Sequence, residues 1–137
     1  MSEENVELVR NSLNLWVEID EGLAKPDRMA AFWAPDVTLT FEGGPRAGSI
    51  QGLDQMLKWR DDITEPFDDW SYSTEKILDA GGNQVVGTFH SQGKVRGTDD
   101  WVEMHYGLVY TVEEGLITEA TMYTTQADAL EAAGLSE

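Results

Sequence analysis

The chain has 137 residues, 41% of them hydrophobic, with five Trp, four Tyr and four Phe. A chain of this length and composition supports one compact core and excludes disorder over most of its length, so we expect residues 1–137 to form a single domain. Nine Lys and Arg against 26 Asp and Glu give a net charge of -17, which repels phosphates and excludes nucleic acid as a favoured partner. The chain has no Cys, which excludes disulfides and thiolate chemistry.

The first residues, MSEENVELVRNSL, are acidic and amphipathic. They lack the basic and continuously apolar regions of a signal peptide, and no later stretch approaches the roughly 18 apolar residues of a membrane span. We therefore expect a cytoplasmic protein with no membrane partner.

Apolar residues at helical spacing predict two longer helices and one short helix in the first half of the chain. Residues 3 to 20 form an amphipathic pattern with apolar positions three or four apart, at Val6, Val9, Leu13 and Trp16. A short helix is predicted from Pro26 until Pro35 ends it, with Trp33 pointing inward. The third helix follows Gly52, with its pattern at Leu53, Met56, Leu57, Trp59, Arg60 and Ile63.

Alternation with a period of two predicts strands in the remaining segments. The first strand runs from Asp36 to Phe41, and four successive strands joined by short turns follow from residue 67, so the sheet is predicted to be mostly antiparallel. Thr125 then begins a capping pattern for a short last helix. This order predicts an α+β domain in which a curved, mostly antiparallel sheet wraps around the N-terminal helices.

Several segments in this order resemble the SnoaL-like branch of the nuclear transport factor 2-like, or ketosteroid-isomerase-like, superfamily. The resemblance runs through nearly the whole chain. It implies a cone-shaped fold whose mouth holds a small, mostly apolar molecule, and it implies a homodimer formed through the convex face of the sheet. The segments are residues 5–9, Trp33–Val37, the helix entry at Gly52, residues 79–82, Val109–Ile117 and residues 127–135.

The catalytic positions of the family's steroid isomerases are not retained in this chain. By the resemblance, their general base corresponds to Leu39 or Phe41, their oxyanion-binding acid to Leu108 or Gly107, and their helix-one tyrosine to Trp16. None of these side chains can exchange a proton as the family mechanism requires. The resemblance therefore implies the fold without that isomerase mechanism.

Two other chemistries of the family are matched in part or not at all. The arginine and two aspartates of the epoxide-hydrolase-like members correspond to Phe89, Ser91 and Met122. Of the two histidines used by dehydratase-like members, His90 approximates one, while the other falls near Lys76 or Ile77.

The inward positions of the predicted elements supply the candidate ligand-binding residues. Large aromatic and apolar side chains there favour a flat, apolar ligand. The tyrosine hydroxyls suit hydrogen bonding better than proton abstraction, and each can instead bond a backbone carbonyl within the core. The candidates are Trp16, Trp33, Leu39, Phe41, Trp59, Trp70, Tyr72, Phe89, Met104, Tyr106, Leu108 and Met122.

Strand alternation places His90, Glu103 and His105 on the outer, convex face, unless a bulge shifts the register. Two histidines in neighbouring strands, together with Glu103, could bind adventitious zinc, but the sequence has no dedicated ligand spacing, so we expect no metal site. The absence of nucleotide-binding motifs leads us to expect no cofactor. Arg46 and Arg60 can either hold an acidic ligand or pair with surface carboxylates, and the acidic composition favours the second.

Three hypotheses for function follow from the sequence. The first is binding of a small hydrophobic, possibly cyclic or aromatic, molecule without a conventional acid/base pair. The second is a polyketide-cyclase-, isomerase- or dehydratase-type enzyme that uses His90, Tyr106 or Asp36 as an acid or base. The third is a dimeric interaction module whose convex face carries the contact residues Thr88, His90, His105, Val109, Thr121 and Tyr123.

Overall fold

A computed structural model describes residues 2–43 and 48–135. It contains three α-helices, a 3-10 helix and six strands. In chain order these are α1 (Ser2–Asp20), the 3-10 helix (Pro26–Ala31), β1 (Trp33–Glu42), β2 (Gly48–Gln51), α2 (Leu53–Thr64), β3 (Phe67–Gly81), β4 (Gln84–Val95), β5 (Trp101–Glu113), β6 (Leu116–Tyr123) and α3 (Gln126–Ala132).

The six strands form one curved, open sheet in the order β2-β1-β6-β5-β4-β3. Only β1 and β6 pair in parallel, and every other neighbouring pair is antiparallel. The predicted α+β class and the mostly antiparallel sheet against N-terminal helices are therefore confirmed. Within the described ranges, no helix combines the length and the apolar character that a membrane span requires.

The start of the first strand differs from the prediction. β1 begins at Trp33 and contains Pro35, which the sequence pattern placed at the end of a helix. The pairing of β1 with β6 is irregular between Trp33 and Thr38, so a proline without an N–H is accommodated where the ladder is already interrupted. The short strand β2 was not predicted, because four residues give too little alternation to detect.

The main core lies between α1 and the concave face of the sheet. Val9 of α1 and Met29 of the 3-10 helix are fully buried there. Trp33 fills the adjoining space, and its indole N–H donates a hydrogen bond to the Ser12 hydroxyl at 2.7 Å. Because both partners are buried, this bond satisfies two polar groups that would otherwise destabilise the core.

A second, smaller core lies on the convex face, where α3 packs against β4 and β5. It contains Val86 and Val109 from the strands together with Ala129, Leu130 and Ala133 from the helix. The Thr125 side chain caps α3 by accepting the backbone N–H of Asp128 at 3.1 Å, as the sequence predicted.

The position of α3 corrects one part of the convex-face hypothesis. Thr88 and Val109 were predicted to be contact residues of an exposed face, but they are 2% and 8% exposed. Val109 is covered by α3. The sequence indicated that a helix closes the chain but not which face of the sheet it covers.

Gly107 on β5 lets α3 approach the sheet closely. A Cβ atom at this position would lie 2.5 Å from the Cβ of Ala129 and 3.2 Å from the carbonyl oxygen of Gly87. Neither neighbour can rotate away, since one is a methyl fixed to the helix and the other is backbone. The distance between α3 and β5 therefore depends on a glycine here.

We expect Gly107→Ala to lower the free energy of unfolding by about 1–3 kcal/mol, because the added methyl overpacks the contact between α3 and the sheet. Urea denaturation followed by far-UV circular dichroism measures this change. The double variant Gly107→Ala/Ala129→Gly removes the clashing methyl from the helix and should be more stable than the sum of the two single changes predicts. Additive losses in this cycle would contradict the proposed contact.

Candidate functional site

A cavity of about 740 Å³ opens between the helices and the concave face of the sheet. α1 contributes Leu13 and Trp16 to its wall, and α2 contributes Trp59, Arg60, Ile63 and Thr64. Most of the remaining lining residues come from the strands. This volume lies within the range of small-molecule sites, which is roughly 300–1,000 Å³.

Most of the residues predicted from inward alternation line this cavity. They are Trp16, Phe41, Trp59, Trp70, Tyr72, Phe89, Met104, Tyr106, Leu108 and Met122. Trp33 and Leu39 instead lie in the packed core, 3% and 2% exposed. Alternation shows that a side chain points inward, but it does not show whether neighbouring side chains fill the space in front of it. The ring of Trp33 meets Tyr110 edge-on at 6.1 Å between centroids, so that space is occupied.

Aromatic rings contact one another along the wall and hold its shape. Phe41 of β1 and Trp59 of α2 have ring centroids 5.0 Å apart. Phe89 lies 5.6 Å from Tyr106 and 6.4 Å from Tyr72. Since these pairs come from different elements, the apolar surface is formed by the fold before any ligand enters.

Arg60 is a positively charged residue of this wall, although it was not among the predicted ligand-binding residues. Its guanidinium forms two hydrogen bonds with the Asp20 carboxylate, at 2.7 and 2.8 Å, and lies 4.3 Å from the ring centroid of Trp16. Its side chain is only 15% exposed. Pairing with a carboxylate was expected, but the position was not. The helical spacing that places Arg60 on the same face as Ile63, another residue of the wall, was the signal that could have found it. Arg46 lies outside the described residues.

The buried tyrosines are neutral hydrogen-bonding groups. Tyr72 donates its hydroxyl hydrogen to the backbone carbonyl of Leu13 at 2.7 Å, which is the core arrangement weighed for it from the sequence. The hydroxyls of Tyr106 and Ser91 are 2.7 Å apart, and either can be the donor. Burial raises the pKa of Tyr72 well above its usual value, although the Arg60 guanidinium opposes this, and burial also raises the pKa of Tyr106.

The three candidate catalytic residues do not come together. Tyr106 lies in the cavity wall, whereas Asp36 is an exposed residue of β1 that is not part of the wall. His90 follows the buried, inward Phe89 on β4 and therefore lies on the opposite face of the sheet. A shared acid/base role for these three residues inside the cavity is not supported by their positions.

Glu103, Met104 and His105 form part of the rim of the cavity. The pairing of β5 with β6 ends at Gly107, so this part of β5 has an open edge around which the mouth extends. Alternation directs Met104 toward the cavity and the side chains of Glu103 and His105 toward the outer face. There the His105 ring stacks on that of His90, with centroids 4.4 Å apart.

The buried phenols predict that the protein loses stability at high pH. Burial raises the pKa of Tyr72, Tyr106 and Tyr110 in the folded state, whereas in the unfolded chain they titrate near the usual value of about 10. Above that pH the unfolded state loses protons that the folded state retains, so the free energy of unfolding falls as pH rises. Denaturant titrations at several pH values and phenolate absorbance at 295 nm measure this.

Tyr110→Phe removes one fully buried phenol and should make the loss of stability above pH 10 less steep. Tyr123→Phe is the comparison variant, because partial burial and the nearby Glu42 also raise the pKa of Tyr123, and its effect should be smaller than that of the fully buried Tyr110. Ionisation of the buried phenols near pH 10 in a protein that is still folded would contradict this account.

Comparison with known proteins supports the same fold. A family model described as a SnoaL-like domain matches residues 19–120. A candidate SnoaL-like polyketide cyclase from Jannaschia sp. CCS1 superposes with a TM-score of 0.74 at 18% identity, over 100% of this chain and 96% of that one. A nuclear transport factor 2-like protein of unknown function from Burkholderia pseudomallei gives a TM-score of 0.72 at 18% identity, over 96% and 97%.

A third structure is that of a Catenulispora acidiphila protein with a ketosteroid isomerase-like fold in complex with trimethylamine. Its TM-score is 0.62 at 16% identity, over 80% of this chain and 82% of that one. No curated protein matches the sequence significantly. The structural likenesses show the fold, and the family model covers well over half of the chain. This chain belongs to the SnoaL-like domain family.

Proposed function

We propose that this protein binds a small, flat and largely apolar molecule, containing at least one ring, in the cavity between α1, α2 and the concave sheet. The observation that carries the proposal is the aromatic wall, in which Trp16, Phe41, Trp59, Trp70 and Phe89 face one cavity. Burying a ligand against these rings removes apolar surface of both partners from water, which stabilises the complex by roughly 25 cal/mol per Å².

The polar groups of the wall favour a ligand that carries an oxygen acceptor. Tyr106, which lines the cavity, shares a hydrogen bond with the buried Ser91, and when Ser91 is the donor the Tyr106 hydroxyl keeps its hydrogen for a ligand. Arg60 has five N–H donors and uses two of them with Asp20. Because Asp20 already compensates the charge of Arg60, a carbonyl or hydroxyl oxygen suits the site better than a second carboxylate.

The positions of the ionisable groups favour binding over acid/base turnover. His90 and Asp36 are outside the wall, and the raised pKa of Tyr106 makes its phenolate a rare species near neutral pH. The other possible bases of the lining, Glu42, Glu103 and His105, are exposed to water at the mouth, and the side chains of Glu103 and His105 point to the outer face. A cyclase-, isomerase- or dehydratase-type activity would therefore depend on Tyr106 as a hydrogen-bond donor inside the cavity.

We expect the neutral fluorophore N-phenyl-1-naphthylamine to bind in the cavity and to increase in fluorescence there. Trp59→Ala should weaken binding about tenfold or more, because it removes a large ring from the wall. Trp101→Ala is the matched control, since Trp101 is 55% exposed and does not line the cavity. A fluorescence titration at fixed protein concentration measures both.

A second variant separates loss of contact from collapse of the cavity. Met122→Trp adds volume to the wall and should also weaken binding, while far-UV circular dichroism shows whether the fold is kept. Equal effects of Trp59→Ala and Trp101→Ala, or unchanged binding in Met122→Trp, would place the probe elsewhere and contradict the proposal.

We further propose that two copies associate through the convex face of β6, at Thr121 and at the part of Tyr123 that α3 leaves exposed. Both residues are half-buried, and the parity of β6 places them on the outer face opposite Ala120 and Met122. The negative charge of each copy opposes association, so salt should strengthen it by screening the repulsion.

Sedimentation velocity over a range of protein and salt concentrations tests this arrangement. Thr121→Arg should shift the equilibrium toward the monomer, because it places a long charged side chain in the contact. Leu23→Arg makes the same charge change at a 72% exposed residue after α1 and should not shift it. A monomer at all concentrations, or equal effects of the two variants, would contradict the contact.

A further inference from the structure

Two histidines and a glutamate form a cluster whose side chains lie on the outer face of the sheet, next to the rim of the ligand cavity. We name His90, Glu103 and His105 the outer histidine cluster. We propose that it binds one divalent transition-metal ion, with zinc the best match, through Nε2 of His90, Nε2 of His105 and the carboxylate of Glu103.

The register of two strands brings these residues together. His90 of β4 and His105 of β5 are direct cross-strand partners, and Glu103 precedes His105 by two residues on the same face. Direct partners have Cβ atoms about 5 Å apart, which is close enough for both imidazoles to reach one ion. The two rings are nearly parallel, with an interplanar angle of 8°.

The possible ligand atoms already converge. Oε1 of Glu103 lies 2.9 Å from Nε2 of His90 and 3.3 Å from Nε2 of His105. The ligand atoms of the cluster all lie within 4.8 Å of one another. Donors bound tetrahedrally to zinc at about 2.0–2.1 Å are about 3.3 Å apart, so only small side-chain rotations separate this arrangement from a coordination shell.

Nε2 of His90 is a buried nitrogen that lacks a hydrogen bond within the described residues. Oε1 of Glu103 lies 2.9 Å from this nitrogen but is not aligned for a hydrogen bond, so the contact leaves Nε2 without a partner. A misaligned contact satisfies a nitrogen poorly. A buried polar atom without a partner destabilises a fold, and a metal ion would supply the missing interaction.

A second carboxylate orients His105. Oε2 of Glu75 lies 3.4 Å from Nδ1 of His105, and it also accepts a hydrogen bond from the Gln126 side chain at 2.6 Å. A carboxylate that accepts the Nδ1 hydrogen leaves the Nε2 lone pair free to face Glu103 and bind a metal.

The chemistry of the cluster favours zinc over the harder cations. Two imidazoles and one carboxylate are a common ligand set for zinc, whereas magnesium prefers oxygen ligands alone. Glu103 and His105 are 57% and 55% exposed, so water can complete the coordination. From the sequence we expected at most adventitious zinc here, because the chain has no dedicated ligand spacing, and the direct pairing of His90 with His105 supplies that spacing across two strands.

Isothermal titration calorimetry of the whole chain with zinc chloride tests the proposal. We expect one zinc ion per chain and no displacement by a large excess of magnesium. His90→Gln and His105→Gln should each weaken binding at least tenfold. Glu75→Gln keeps all three ligands and should still weaken it about tenfold or more, because it removes the group that orients His105. Glu119→Gln makes the same charge change at an exposed residue of β6 outside the cluster and should have no effect.

Nitrogen-15 spectra of the histidine rings give a second readout that does not depend on affinity. Zinc should shift the Nε2 resonances of both histidines together, and far-UV circular dichroism confirms that each variant remains folded. The proposal would be overturned by a stoichiometry other than one zinc ion per chain or by competition from magnesium. It would also be overturned if His90→Gln or His105→Gln bound zinc as tightly as the unchanged chain, or if zinc left the Nε2 resonances unshifted. These outcomes leave the ligand proposal for the cavity untouched.

Discussion

The in-register pairing of β4 with β5 is the constraint on which both sites depend. The pairs run from Gln84 opposite Thr111 to Lys94 opposite Trp101 without a bulge. Along such a ladder every second side chain points to the same face, so Phe89 and Tyr106 reach the cavity while His90 and His105 reach the outer surface. A shift of one residue would exchange the two sets and leave an imidazole among the aromatic rings.

The two faces of these strands therefore carry separate chemistries at short distance. The concave face offers rings, neutral hydroxyls and a compensated guanidinium, which suits apolar molecules with an oxygen acceptor. The convex face offers imidazoles and carboxylates in contact with water. Because Phe89 and His90 are consecutive residues of β4, the buried ring on one face and the imidazole on the other constrain the same stretch of backbone.

Local patterns were enough to predict the fold and most of the cavity wall. Alternation identified the inward side chains of β3 to β6, and the Thr125 cap located the start of α3. The patterns did not predict the positions of residues that are set by contacts with distant parts of the chain. Pro35 is a strand residue because β6 tolerates an irregular partner there, and Trp33 is core because Ser12 and Tyr110 occupy the space before it. The place of Arg60 depends on Asp20, forty residues away in the chain.

Gln126 joins these regions. It is the first residue of α3, and its amide donates to the Glu75 carboxylate at 2.6 Å and to the backbone carbonyl of Phe89 at 3.2 Å. One side chain thus tethers the terminal helix both to the edge strand β3 and to the strand behind the cavity. Proteolysis within α3, or a partner that binds this helix, would displace Gln126. The Glu75 carboxylate and the Phe89 carbonyl would then lose a hydrogen bond at the same time. Through Gln126, α3 therefore holds β3 and β4 in position relative to each other.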